Sequence, residues 1–166
     1  MPEIIKDTLN WFGTTYQLEY WETDTFDGLP LEKCKQHYGV CFYQGKLVLG
    51  WGGKKQQWGL LGGTVEPGET LEETLRRELI EEANLDIIFH QPLGVQKVIS
   101  PDSSFDFQLR SVCIVEPRGK FISDPDGSIK KIAFVNPEKY KDYFDWGEIG
   151  ERMMKRALVL LPTLKL

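Results

Sequence analysis

The stretch GGTVEPGETLEETLRRELIEEANL, residues 62–85, decides how the rest of this chain is read. It opens on Gly62-Gly63, expected as a tight turn, and passes a second turn at Glu66-Pro67-Gly68. A helical run follows. Thr70 and Glu73 stand in capping-box spacing, which satisfies the orphan N–H groups of a helix start. Leu71, Leu75 and Leu79 recur four apart and predict one apolar stripe. Glu78, Glu81 and Glu82 fall at i, i+3 and i+4, so three carboxylates crowd a neighbouring face. Asn84 is placed to leave the helix through a left-handed residue, where Asn is second to Gly.

Like charges four apart cost about 0.2–0.5 kcal/mol each in an exposed helix. A merely solvated face would interleave lysines, and the cations of this stretch are Arg76 and Arg77 alone. A hard divalent cation turns the repulsion into coordination, because Mg²⁺ takes oxygen ligands and keeps several waters. An acidic solvated face is the plainer reading of a Glu-rich helix, and the spacing weighs against it. Gly63 is followed after five residues by Glu69 and after seven more by Arg77-Glu78-Leu79. Glu81-Glu82 and Asn84-Leu85 come next, each after one residue. This pattern resembles the signature of the Nudix hydrolases, G-x5-E-x7-R-E-U-x-E-E-x-G-U with U apolar. Asn84 replaces the usual Gly. The lead-in Trp58-Gly59-Leu60-Leu61-Gly62 is similar too, with Leu61 where Pro is usual.

The resemblance implies an α/β fold, a Nudix-like α/β/α sandwich with a mixed central sheet. Residues 1–166 would form a single Nudix hydrolase domain, with residues 1–36 an N-terminal extension carrying one strand. The implied activity is metal-dependent cleavage of a pyrophosphate bond in a nucleoside diphosphate linked to another group. A nucleoside triphosphate or an ADP-ribose-like compound fits that description. The alternative is a non-catalytic Nudix-like module that senses nucleotides; such modules commonly lose box carboxylates, and here all are present. By resemblance, Glu78, Glu81 and Glu82 are the catalytic and metal-binding acids, and the main-chain carbonyl of Gly62 is a further ligand. Glu78 or Glu81 is the candidate base. Gly63, Glu69 and Arg77 support the site, Arg77 through an ion pair to Glu69. A carboxylate from a later loop assists in several relatives, which points to Asp124 or Asp126, although Asp-Pro-Asp-Gly also reads as a plain turn. The implied cofactor is Mg²⁺, with Mn²⁺ as a substitute.

Composition bounds the rest. At 166 residues the chain is one domain by length, and its net charge of −5 argues against a general nucleic-acid or anionic-membrane binder. The start MPEIIKDTLN lacks a basic segment followed by an apolar run, and no apolar stretch is long enough to cross a bilayer. The expected setting is the cytoplasm, with a nucleotide-derived small molecule as partner and a homodimer left open. Cys34, Cys41 and Cys113 match no zinc spacing and read as free thiols.

Elsewhere, residues 1–12 read as an irregular or short helical lead. Tyr16, Leu18 and Tyr20 alternate as a half-buried strand. Strands over 37–43 and 46–51 are joined at Gln44-Gly45. Strands over 86–89 and 95–99 flank a turn at Gln91-Pro92-Leu93-Gly94. A long strand over 105–115 is expected to pair with 129–135. Pro137 opens a helix, and a second covers 148–160 with Ile149, Met153 and Ala157 on one face. Trp51, Trp58, Phe105 and Phe107 are candidates to stack on a base, and Lys54 and Lys55 to touch phosphate; ordinary packing and solvation explain each equally well. His37 and His90 form no ligand pair.

Overall fold

The computed structural model describes residues 2–123 and 128–164. Nine strands are present among them: β1 (Ile5–Trp11), β2 (Thr14–Glu22), β3 (Cys34–Tyr43), β4 (Lys46–Gly52), β5 (Gln57–Gly59), β6 (Leu61–Thr64), β7 (Leu85–Ile99), β8 (Phe105–Pro117) and β9 (Ile129–Val135). Two α-helices accompany them, α1 (Leu71–Ala83) and α2 (Gly147–Leu160). The sheet runs β1-β2-β7-β8-β3-β4-β5, with β6 paired to β3 and β9 to β4. β3 and β8 are parallel, while β7 and β8 are antiparallel, so the sheet is mixed.

The helices cover opposite faces. Ile149, Met153, Met154 and Ala157 of α2 pack on Tyr20, Val40, Phe42, Leu47 and Leu49. Leu75, Leu79 and Ala83 of α1 pack on Cys41, Val48, Leu61 and Cys113. Neighbouring residues of β3 and β4 thus alternate between the two cores, as the two-residue period of a strand requires. The result is the α/β/α sandwich. The β3–β4 hairpin closes through Gln44 and Gly45, both at positive φ, the combination that suits a two-residue turn to the strand twist. Cys34, Cys41 and Cys113 are buried free thiols. No helix among the described residues is long and apolar enough to cross a membrane.

Several expectations need correction. The N-terminal 36 residues hold two complete strands, not one. β1 pairs with β2 from Ile5↔Tyr20 to Trp11↔Thr14. β1 is an edge strand whose residues 6–10 are exposed, so no apolar alternation marks it. Gln91–Gly94 is not a turn, because β7 continues through it with irregular register between Pro92 and Gly94. Pro92 cannot donate to a ladder and is tolerated at such a bulge. A side chain at Gly94 would collide with the Tyr20 ring. β9 pairs with β4, since both edges of β8 are already taken by β7 and β3. Pro137–Asp142 forms a 3₁₀ segment rather than an α-helix.

Asn84 ends α1 in the left-handed region, φ 54° and ψ 47°. Its Nδ2 donates to the Lys120 carbonyl at 3.2 Å, and its own carbonyl accepts from Arg118 N at 2.9 Å. Asn84→Val is expected to cost about 1–3 kcal/mol, because a β-branched residue resists positive φ. Asn84→Gly trades one exposed hydrogen bond for a relaxed backbone and should stay within about 1 kcal/mol of wild type. Denaturant melts of both variants check this, and a Val variant as stable as the Gly variant would contradict it.

Candidate active site

The Gly62-Gly63 pair is not a turn but part of β6, hydrogen-bonded in register with Tyr38 and His37 of β3. Gly62 has φ 144°, and a Cβ there would overlap the His37 carbonyl. A Cβ on Gly63 would lie 2.6 Å from the Glu78 carboxyl carbon. The two glycines therefore let β6 press onto β3 and let the Glu78 carboxyl lie across bare backbone. Neither contact survives a side chain.

α1 begins at Thr70, whose hydroxyl accepts from Glu73 N while the Glu73 side chain accepts from Thr70 N. The preceding loop is tied down by Glu69, which accepts from Glu66 N and from Thr74 Oγ1, each at 2.9 Å. Arg77 meets it with two donors, Nε at 2.7 Å and Nη2 at 3.0 Å. The same guanidinium donates to the Thr64 carbonyl, to Glu78 at 3.0 Å and to Glu81 at 3.1 Å. Arg77 thus joins β6, the loop and the acidic face of α1. Its hydrogen bond to Glu69 holds that carboxyl down at about 2. Burial pushes Glu78 above the usual carboxylate range, and Arg77 opposes the rise.

Glu82 is 6% exposed, and its Oε1 accepts from Gly62 N at 2.7 Å. Its Oε2 is 3.5 Å from Ser128 Oγ. Glu78, Glu82, Gly62 and Gly63 line a cleft of about 1140 Å³. Tyr38, Trp58, Arg110 and Trp146 share its wall, and the β1–β2 hairpin adds Asp7, Trp11, Tyr16 and Leu18. Glu81 stands apart: its side chain is 50% exposed, held by Arg77, and outside the cleft lining. Asp124 and Asp126 lie outside the described residues.

No three His, Cys, Asp or Glu side chains among the described residues converge on one point. The donor chemistry nonetheless fits a hard cation. Glu78 and Glu82 offer oxygen alone, on the wall that Gly62 shares, and Mg²⁺ is held by one or two carboxylates completed by water and substrate phosphates.

The remaining candidates separate cleanly. Trp58 and the loop lysines Lys54 and Lys55 reach the cleft. Lys55 Nζ also donates to the Asn10 carbonyl at 3.1 Å and lies 4.6 Å from the centre of the Trp11 ring, joining the β4–β5 loop to the N-terminal hairpin. Trp51 instead packs against Lys131, and Phe105 and Phe107 join a separate cluster with Leu109 and Val95. His37 is structural. Its Nδ1 donates to the Leu71 carbonyl at 2.7 Å, and its Nε2 accepts from Ser111 Oγ at 2.8 Å. Burial lowers its pKa to about 4, so the ring is neutral at ordinary pH and pins the start of α1 to the sheet. His90 pairs with Glu72, and Arg76 bonds to Glu72 and the Ile87 carbonyl. Sequence reasoning missed Tyr38, Arg110, Trp146 and the hairpin residues. One signal was available: Arg110 is a lone charge inside the run Leu109–Val115.

The NUDIX domain model matches residues 35–156. The nucleoside triphosphatase NudI of Salmonella heidelberg is 48% identical over 68 residues, 41% of this chain and 41% of that protein. Its counterpart from Klebsiella pneumoniae is 46% identical over 59 residues, 36% of this chain and 39% of that protein. The chain thus matches about two fifths of the length of these curated relatives. Among solved structures, a mutant of the Bacillus subtilis pyrophosphohydrolase BsRppH superposes with a TM-score of 0.71 at 18% identity, over 98% of this chain and 99% of that one. A NUDIX hydrolase from Nitrosomonas europaea gives 0.59 at 15% identity, over 81% and 97%. At such identities the likeness concerns the fold alone.

The Glu69 carboxyl, at about 2 in the fold against an ordinary 4.5, makes a pH prediction. A carboxylate with a depressed folded pKa stabilises above its unfolded value, and that contribution is lost as pH falls through the folded one. Glu69→Gln should therefore melt below wild type near pH 7, with the gap narrowing once pH drops under about 4.5. Thermal melts across this range test it; a gap independent of pH would remove charge pairing as the cause.

Proposed function

The chain belongs to the Nudix family, and from that premise we propose that it hydrolyses a pyrophosphate bond in a nucleoside diphosphate linked to another group. A nucleoside triphosphate is the favoured substrate, because the NudI relatives are nucleoside triphosphatases; an ADP-ribose-like compound is the other member of the class. Residues 1–166 act as one hydrolase domain on the cytoplasmic nucleotide pool. The observation that carries this reading is the meeting of Glu78, Glu82 and Gly62 on one wall of a cleft of nucleotide size.

Each residue then has a task. Glu82, Glu78 and the Gly62 carbonyl would hold Mg²⁺, or Mn²⁺ in its place, and Glu81 would complete the acid set from the same stripe of α1. When bound, the ion neutralises phosphate charge and acidifies a water. Glu78 would accept the proton of the attacking water, and it is favoured over Glu81 because it lines the cleft. Gly63 leaves room for the Glu78 carboxyl. Glu69 and Arg77 fix the loop to the helix, and with it the direction of the acids. Trp58 offers a ring face to the base. Asp124 or Asp126 remains the candidate for an added acid from the later loop.

The test is a panel of nucleoside triphosphates, ADP-ribose, dinucleoside polyphosphates and sugar nucleotides with Mg²⁺, read by phosphate and pyrophosphate release. Glu82→Gln keeps the shape and removes the charge, so turnover should fall by about 100-fold or more while the melting curve stays intact. Near-normal turnover in that variant, or undiminished activity in EDTA, would remove the metal-binding role.

A further inference from the structure

Arg110, on β8, is 4% exposed. Its Nε has no hydrogen-bond partner, and its Nη1 reaches the Met153 sulfur at 3.7 Å. Four acids share the cleft wall with it, Asp7, Glu78, Glu82 and Asp145. No ion pair among the described residues joins any of them to Arg110. Glu22 lies on the same cross-strand row, through Gly94, but its carboxylate is turned to Arg152 at 3.8 Å and Arg156 at 3.9 Å. The neighbouring amides satisfy one another: Gln96 donates to Gln108, and Gln108 to Gln36. Arg110 is left with ring faces, Tyr20 at 5.5 Å and Trp146 at 5.3 Å.

Two ring faces return less than the burial of an ionised group removes. A guanidinium does not escape by deprotonation, since it stays charged in proteins. A fold that keeps such a group on the wall of its main cleft has left a donor fork without its acceptor. The register says where that acceptor would be. Tyr38 pairs with Gly62 on one side and with Arg110 on the other. Two strand spacings of about 4.8 Å therefore separate the backbones of Gly62 and Arg110. Arg110 lines the same cleft as the glutamates, with its backbone about 10 Å from that of Gly62.

We propose that Arg110 binds a second phosphate of the substrate, carried on the part remote from the linkage that is cut. Cleavage of that linkage rests on the hydrolase reading; the phosphate site itself does not. Arg donates strong, charge-assisted hydrogen bonds to phosphate oxygens, and the terminal nitrogens of Arg110 are the donors such a group would meet, with Nε buried behind them. The substrate class is a nucleotide phosphorylated on its sugar as well as along its 5′ chain.

The test uses ligands without a cleavable pyrophosphate: AMP, α,β-methylene-ADP and adenosine 3′,5′-bisphosphate, titrated calorimetrically with Mg²⁺ present. The bisphosphate should bind wild type at least tenfold more tightly than AMP does. Arg110→Met should abolish that advantage, and Arg110→Lys, which keeps the charge and loses the fork, should retain part of it. Any advantage of α,β-methylene-ADP over AMP should be the same in wild type and Arg110→Met, which separates a remote phosphate from one along the 5′ chain. Without ligand, Arg110→Met should melt at or above wild type, because replacing an unpaired buried charge with an apolar chain of similar length relieves the fold. The proposal is overturned if the bisphosphate fails to bind or binds like AMP, or if its advantage survives Arg110→Met. A melt well below wild type would also overturn it, since Arg110 would then be a strut between Tyr20 and Trp146. A bisphosphate preference without turnover of any pyrophosphate would leave this site standing and remove the hydrolase reading; turnover without the preference would do the reverse.

Discussion

The ion pair between Arg77 and Glu69 is the constraint on which the site depends. Exposed pairs of this kind contribute about 0–1 kcal/mol. This one differs in geometry, because two guanidinium nitrogens meet the two carboxylate oxygens and neither partner is freely solvated. The remaining donors are spent on the Thr64 carbonyl, Glu78 and Glu81. A single cation therefore fixes where the loop meets the helix and softens the repulsion along the acidic stripe. Without it, Glu78 and Glu81 would face each other's charge and the loop would lose its anchor on α1.

Close backbone approach is the second condition. Glu82 reaches Gly62 N because β6 lies tight against β3, and β6 lies there because Gly62 and Gly63 present no side chain. His37 works from the opposite direction. It ties the first residue of α1 to β8 through Ser111, and its burial in neutral form suits a carbonyl on one nitrogen and a hydroxyl on the other. Helix and sheet are thus fastened at both ends of the acidic stripe. The wall carrying Glu78 and Glu82 is rigid for reasons separate from any ligand.

The cleft itself is assembled from remote segments. Its lining includes Gln36, Gln96, Gln108 and Arg110 from β3, β7 and β8, together with residues of the β1–β2 hairpin. The hairpin precedes the stretch matched by the family model, which begins at residue 35. Lys55 links it to the β4–β5 loop through Asn10 and Trp11. The acids of residues 62–85 and the cleft residues Gln36, Gln96, Gln108 and Arg110 all lie inside the matched stretch, whereas Asp7, Trp11, Tyr16 and Leu18 reach the cleft from outside it.

The sequence by itself determined the loop, the capped helix, its apolar and acidic stripes and the left-handed exit at Asn84. All of these follow from contacts between residues a few positions apart, where spacing and geometry are nearly equivalent. It also marked the Gln44-Gly45 hairpin and the core face of α2. It failed where the deciding contact is distant. β1 carries no apolar alternation because it lies on the sheet edge, and Gln91–Gly94 looks like a turn until Tyr20 packs over Gly94. β9 found β4 because β8 was already enclosed on both edges. Gly62-Gly63 read as a turn, although the glycines serve approach between β6, β3 and Glu78. Trp58 was separable from Phe105 and Phe107 only after folding, since an aromatic in a strand has the same signature facing a cleft or a core. The same is true of Arg110. Its charge was visible in the sequence, but its lack of a partner is a property of every element packed around it, and that only the tertiary structure decides.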